Sequence, residues 1–264
     1  MNPTQKKLPK RRGGFLPALL ALIFLGLVFE PSASAATKHS SKKSASSKHV
    51  SPKKKKGSSS KSKKGKKSGI LRVPARPPAR NWPPARNFTT VVVDAGHGGY
   101  DRGGIFGQKI PEKPYTLEVA KRLSVYLRKA GFRVVMTRSD DTFIPLPERT
   151  RISNVQHNAI FVSIHFNSAV FTGGHGFETY YYAPTAQPLA ARIQRRLVQL
   201  NPATENRGVK FRGYYVLRNN NLPAVLAECG FLTNPWEARI VTQRSFLDRL
   251  ARAIAQAIIE QRNS

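Results

Sequence analysis

TTVVVDAGHGG, residues 89–99, is an unbroken β-branched run that closes on a histidine set among glycines. Consecutive valines bounded by glycines predict a strand buried on both faces. The glycines permit a tight loop at its end, which would carry His97. Outward from this run the period changes. Residues 115–130 predict a helix, with Leu117, Ala120, Leu123 and Leu127 on one face and Gly131 as its stop. Residues 132–137 and 159–164 predict further strands, the second delivering His165, with a helix over 147–158 between them. Strands are expected at 177–182, 214–217 and 224–227, the last delivering Glu228. Helices are expected at 189–200 and 246–259.

Alternating strands and helices predict a three-layer α/β/α domain over residues 88–264, built on a central, mostly parallel (mixed) sheet. His97, His165 and Glu228 each fall at the carboxyl end of an expected strand. If those strands are parallel, all three reach one rim, where open α/β sheets bind ligands. Glu112, in the loop before the first helix, can reach the same rim.

Two histidines and two glutamates therefore stand out. Two imidazoles and one carboxylate are a common ligand set for a catalytic zinc with an open position for water. The remaining glutamate can serve as the base for that water. His175 is read as a loop or substrate-side residue and His157 as a helix-end residue. The single cysteine, Cys229, excludes an intramolecular disulfide framework. Next to Glu228 on a strand it would face the opposite way, as a small buried filler. No H-E-x-x-H is present, which argues against a zincin-type protease.

The chain has 264 residues, and its first 87 differ sharply from the rest. Residues 1–36 follow a signal peptide's order. Lys6, Lys7, Lys10, Arg11 and Arg12 come first, then an apolar stretch over 15–29, then Ala33-Ser34-Ala35 as a cleavage site. The apolar stretch is shorter than the ~20 residues of a membrane span, so a retained anchor is the weaker alternative. Arg11-Arg12 is an imperfect twin-arginine signal. Residues 37–87 contain no Asp or Glu. They are rich in lysine and serine to Ser68, then in proline and arginine. A disordered tail followed by a stiffer extended spacer is expected.

The net charge is +31, and residues 88–264 hold 23 Lys and Arg against 13 Asp and Glu. Most of the excess thus lies in the tail, which suits a polyanionic partner. Behind an export signal, anionic envelope polymers or lipid headgroups fit better than nucleic acid. A solvated spacer that binds nothing in particular is the alternative.

Six motifs then occur in order: VVVDAGHGG, PEKPYTLEVAKRL, FVSIHFNSA, GFETYYY, GVKFRGYYVLR and AVLAECGFLTN. Together they resemble the catalytic domain of the zinc-dependent N-acetylmuramoyl-L-alanine amidases, the type 3 amidase family. The resemblance covers about residues 89–259. It implies that His97, Glu112 and His165 ligate Zn2+ and that Glu228 is catalytic. It also implies a peptidoglycan substrate, cut between the lactyl group of N-acetylmuramic acid and L-alanine. The loop after His97 reads DRGG where the family usually has a proline near the position of Arg102. The stretch between His165 and Glu228 is too short for the regulatory insertion of some relatives, so an open cleft is expected. Arg218 or Lys210 is a candidate for holding the acidic stem peptide. A zinc peptidase acting on that stem, and a non-catalytic basic envelope-binding protein, are the competing readings. A protein activator is the further partner considered, and a monomer in the periplasm or outer envelope is expected.

Overall fold

The computed structural model describes residues 80–105 and 107–264. The expected signal segment and most of the expected spacer lie outside the described residues. In chain order the elements are β1 (Thr90–Ala95), α1 (Lys113–Lys129), β2 (Arg133–Met136), α2 (Leu146–Asn154), β3 (Ala159–Asn167) and β4 (Phe177–Tyr181). There follow α3 (Gln187–Leu200), β5 (Asn206–Phe211), α4 (Tyr215–Arg218), β6 (Ala224–Phe231), α5 (Pro235–Val241) and α6 (Arg244–Arg262).

One six-stranded sheet runs in the order β2-β1-β3-β6-β4-β5. β2, β1, β3 and β6 are mutually parallel, while β4 is antiparallel to β6 and parallel to β5. This is the expected mixed sheet. The carboxyl ends of β1, β3 and β6 therefore share a rim, with His165 directly opposite Glu228 in register.

Side chains alternate across the sheet with the strand period of two. Val91, Val93, Val162, Ile164, Val225 and Ala227 enter a large core beneath α1, α3 and α6. Val92, Phe161, Ala224 and Leu226 enter a smaller core with Val216 and Leu217 of α4, packed by Ile152 of α2. The second layer is thin. α2 has 9 residues and α4 has 4, roughly 14 Å and 6 Å of helix at 1.5 Å per residue. The strands beneath are longer, since the 9 residues of β3 span about 30 Å. The carboxyl part of this face is left uncovered, and a cleft of about 580 Å³ opens there.

Three expectations need correction. Residues 214–217 were expected as a strand because Tyr and Val favour pleated surfaces. They form the turn into α4 instead, closed by bonds from Leu217 N–H and Arg218 N–H to the Tyr214 carbonyl. Val216 and Leu217 are thereby buried over the sheet. Second, β3 and β6 run past His165 and Glu228, so both residues sit within strands. A register shift between His165 and Asn167 marks the place. Third, the spacer was expected to reach residue 87, but Trp82 and Ala85 pack in the large core. Trp82 Nε1 donates to the Asn220 carbonyl (3.1 Å), and the Ala85 carbonyl accepts from Gln261 (2.8 Å).

β5 and α5 were not anticipated. α5 carries a local signal, since Asn234 caps it by accepting from Trp236 N–H (3.0 Å) and Glu237 N–H (3.1 Å), with Pro235 at the first position. None of the described helices is long and apolar enough to cross a membrane.

Trp82→Ala removes a buried aromatic and a buried hydrogen bond, and should cost about 3–5 kcal/mol in urea unfolding. A chain beginning at residue 88 should melt below one beginning at residue 80. Equal melting temperatures would mean that the Trp82 segment is dispensable for stability.

Candidate metal centre

β1, the loop before α1 and β3 bring three side chains to one point. His97 Nε2 lies 3.1 Å from Glu112 Oε2 and 3.0 Å from His165 Nδ1, and the third side of this triangle is 3.7 Å. A tetrahedral ion with ligands at ~2.0–2.1 Å would separate ligand atoms by about 3.3 Å, which lies within this range. The donor set also fits, since two neutral imidazoles and one carboxylate suit a small divalent metal. The surroundings leave room for these ligands and little else. A Cβ at Gly96 would lie 2.3 Å from His165 Cε1, so only glycine allows that ring its place.

The loop that carries His97 is strained and firmly held. His97 adopts φ 61°, a left-handed conformation that costs about 1–3 kcal/mol in a non-glycine residue. Gly98 follows at φ 129°, with the Thr142 carbonyl 2.2 Å from where its Cβ would stand. Two buried arginines hold the backbone. Arg149 donates to the carbonyls of Ala95 (2.7 Å) and His97 (2.7 Å), and Arg138 to those of Ala95 (2.9 Å) and Gly96 (2.8 Å). Arg149 is anchored in turn by Asp94 (2.7 Å), which also accepts from Thr137 (2.7 Å) and Ser163 (2.6 Å). Burial works to raise the Asp94 pKa, but the Arg149 charge and these hydrogen bonds bring it below its ordinary value.

Asp101 orients the His97 ring. Its Oδ2 lies 3.0 Å from His97 Nδ1, while Oδ1 accepts from Gly103 N–H (3.0 Å). A carboxylate on Nδ1 turns Nε2 toward Glu112 and His165, and such a partner raises a ligand's basicity. Glu112 is buried at the start of α1 and also accepts from Phe166 N–H (3.2 Å). Burial opposes its charge, yet the hydrogen bonds and charges of His165 and His97 hold its pKa at about 2.

Glu228 points from β6 toward the same cleft, with one carboxylate oxygen buried and unpartnered. Desolvation, then the charges of Glu112 and Glu178, raise its pKa well above the ordinary value. Glu178 sits opposite Glu228 on β4. It accepts from Asn167 (2.5 Å), Tyr180 (2.5 Å), Arg207 (3.1 Å) and Lys210. Burial again opposes its charge, but these donors lower its pKa, Lys210 foremost.

The four residues singled out from sequence thus line one cleft. Three form the only such cluster among the described residues, and His157 and His175 stand outside it. His175 is held by the Gly173 carbonyl (2.9 Å) and His157 is exposed. Cys229 faces the large core, its thiol pKa raised by burial and by the Glu228 charge. Sequence reading missed Asp101, Glu178, Arg138 and Arg149. The one available signal was Asp101, four residues after His97 in the atypical DRGG loop.

Residues 91–260 match the sequence profile of the family described as N-acetylmuramoyl-L-alanine amidase. The N-acetylmuramoyl-L-alanine amidase LytC of Bacillus subtilis (strain 168) is 37% identical over 169 residues, covering 62% of this chain and 34% of LytC. The probable cell wall amidase LytH of Staphylococcus saprophyticus is 36% identical over 173 residues, covering 65% and 56%. The chain thus spans about a third to a half of these curated relatives. Among solved structures, the catalytic domain of CwlV from Bacillus (Paenibacillus) polymyxa superposes with a TM-score of 0.60 at 34% identity, covering 65% of this chain and 97% of that domain.

Arg149→Leu leaves Asp94 buried without its cation and should cost about 3–5 kcal/mol in urea unfolding. The Asp94 charge stabilises the native state fully above its ordinary value of 3.8 and loses that contribution as pH falls through the lowered native value. Asp94→Asn should therefore flatten the acid limb of the stability profile, and an unchanged limb would refute this assignment. Asp101→Asn should weaken divalent-metal binding by about 10–100-fold, read by competition with a chelating dye. Unchanged affinity would mean that the backbone alone orients His97.

Proposed function

The chain belongs to the N-acetylmuramoyl-L-alanine amidase family, and on that premise we propose that it is an exported zinc hydrolase acting on peptidoglycan. The bond cut is the amide between the lactyl group of N-acetylmuramic acid and L-alanine. The observation that carries this reading is the triangle of His97, Glu112 and His165 beside Glu228, one of whose carboxylate oxygens is buried without a partner, in an open cleft.

His97, Glu112 and His165 would hold the zinc. When bound, that ion supplies polarisation of the scissile carbonyl and acidification of the attacking water. Glu228 takes the proton from that water and hands it to the departing nitrogen of L-alanine. Its proton affinity, raised by burial and by the neighbouring carboxylates, favours taking up that proton. Asp101 and the two arginines keep the His97 imidazole aimed, so little reorganisation is needed at the moment of reaction. Glu178, held ionised by its cations, keeps a negative charge beside Glu228 and maintains that raised affinity.

The stem peptide carries carboxylates. Arg212 and Arg218, exposed and without an acidic partner among the described residues, give the β5–α4 side the charge to meet them, while Lys210 is engaged by Glu178. Residues 1–36 would direct export to the periplasm or outer envelope, and the basic tail would hold the enzyme near anionic envelope polymers or lipid headgroups. Wall turnover or daughter-cell separation is the role that such placement serves.

Digestion of purified peptidoglycan tests the reading. Wild type should release stem peptides with a free L-alanine amino terminus. A chelator should abolish release and added zinc restore it, while Glu228→Gln should lower the rate by at least ~100-fold. Trimmed stems still attached to glycan would support a stem peptidase instead. No release by a zinc-loaded protein would support a binding role.

A further inference from the structure

Beside the His97 loop stands an aromatic pair that the chemistry above does not use. Tyr100 is 79% exposed, an unusual place for a large ring only three residues from a candidate ligand. Its ring lies against Phe143, with centroids 4.3 Å apart and planes inclined by 32°. Phe143 in turn lines the cleft, together with Ile105, Ile144 and Leu146. The exposed ring therefore continues an apolar strip that runs down into the site, and such contiguous strips mark binding surfaces where isolated ones do not.

The backbone that carries the pair is firmly held. Gly99 N–H donates to Asp141 (3.0 Å), and Lys113 bridges the Gly99 carbonyl (2.8 Å) and Asp141 (2.5 Å). Asp140 closes the neighbouring turn by accepting from Thr142 N–H (3.0 Å). The backbone on both sides of the pair is thus held before any ligand arrives, which lowers the entropic cost of binding.

The two ends of the cleft also differ in character. The β1 side offers Phe143 and Leu146 in the cleft lining, with Tyr100 stacked on Phe143, while Arg212 and Arg218 stand exposed on the segment that leads from β5 through α4, beside the lining residues Tyr214 and Tyr215. The substrate has the same asymmetry. Its glycan presents flat, C–H-lined pyranose faces, and its peptide presents carboxylates. An exposed ring backed by a second aromatic suits the first, because the negative face of an aromatic attracts the weakly positive hydrogens of such a surface.

We propose that Tyr100, backed by Phe143, is a stacking platform for a pyranose ring of the glycan strand, so that glycan lies along the β1 side and the stem peptide along the β5 side. This rests on the peptidoglycan reading above.

Binding is measured on the full-length Glu228→Gln protein, which does not consume its ligand. The probes are peptide-free glycan strands and, separately, free stem peptide. Tyr100→Ala should weaken glycan binding about tenfold, Tyr100→Phe should restore it, and neither should alter stem-peptide binding. In the active enzyme, Tyr100→Ala should raise KM for peptidoglycan. Tyr100 is on the surface, and an unchanged melting temperature would exclude misfolding. Glycan binding that is absent from the parent, or unchanged by Tyr100→Ala, overturns the platform. Glycan binding that depends on Tyr100 in a protein whose wild type cleaves no peptidoglycan would sink the amidase reading and leave the platform standing.

Discussion

Asp94 is the last residue of β1 to face α2, and no water reaches it, so its charge must be answered by protein groups. Arg149 of α2, Thr137 after β2 and Ser163 of β3 answer it together. One carboxylate thereby fixes a helix and two neighbouring strands to the end of β1. Arg149 extends the constraint to the His97 loop through the carbonyls of Ala95 and His97. A buried ion pair is a poor source of net stability compared with well-packed hydrocarbon, but it is costly to leave half-made. That cost restricts α2 to one seat, and the left-handed backbone of His97 is tolerable only because the seat is so well defined.

The unequal layers of the sandwich place the cleft. α1, α3 and α6 cover one face of the sheet, whereas α2 and α4 cover only part of the other. Toward the cleft this face carries His165 and Glu228, with the buried Glu178 opposite Glu228. The antiparallel insertion of β4 beside β6 then brings Glu178 opposite Glu228. Had β4 run parallel to β6, that rim would have received the Tyr181 end of the strand.

Much of this was legible in advance, and for a physical reason. Strand β1 announces itself through valines that face two cores, and the long helices through an apolar face at helical spacing. His97, Glu112, His165 and Glu228 lie in short motifs with strong local character. The supporting groups do not. Arg138, Arg149 and Glu178 read as ordinary surface charges, because only tertiary packing reveals that they are buried and paired. β5 was hidden because it is a half-exposed edge strand with Gly208 at its centre. α4 was misread because its local preference for strand is outweighed by the gain from folding Val216 and Leu217 over the sheet.

The alternation along β6 has a consequence for how the chain avoids a silent error. Glu228 faces the cleft and Cys229 faces hydrocarbon, one residue apart. A slip of one position would exchange them, driving a carboxylate into the apolar core and presenting a thiol to the cleft. The misaligned sheet would then be expensive as well as inert, since burying that charge unpaired costs several kcal/mol. The alternation that builds the core therefore also guards the cleft: a molecule assembled in the wrong register is disfavoured by its own thermodynamics before it can persist as a stable species without Glu228 in place.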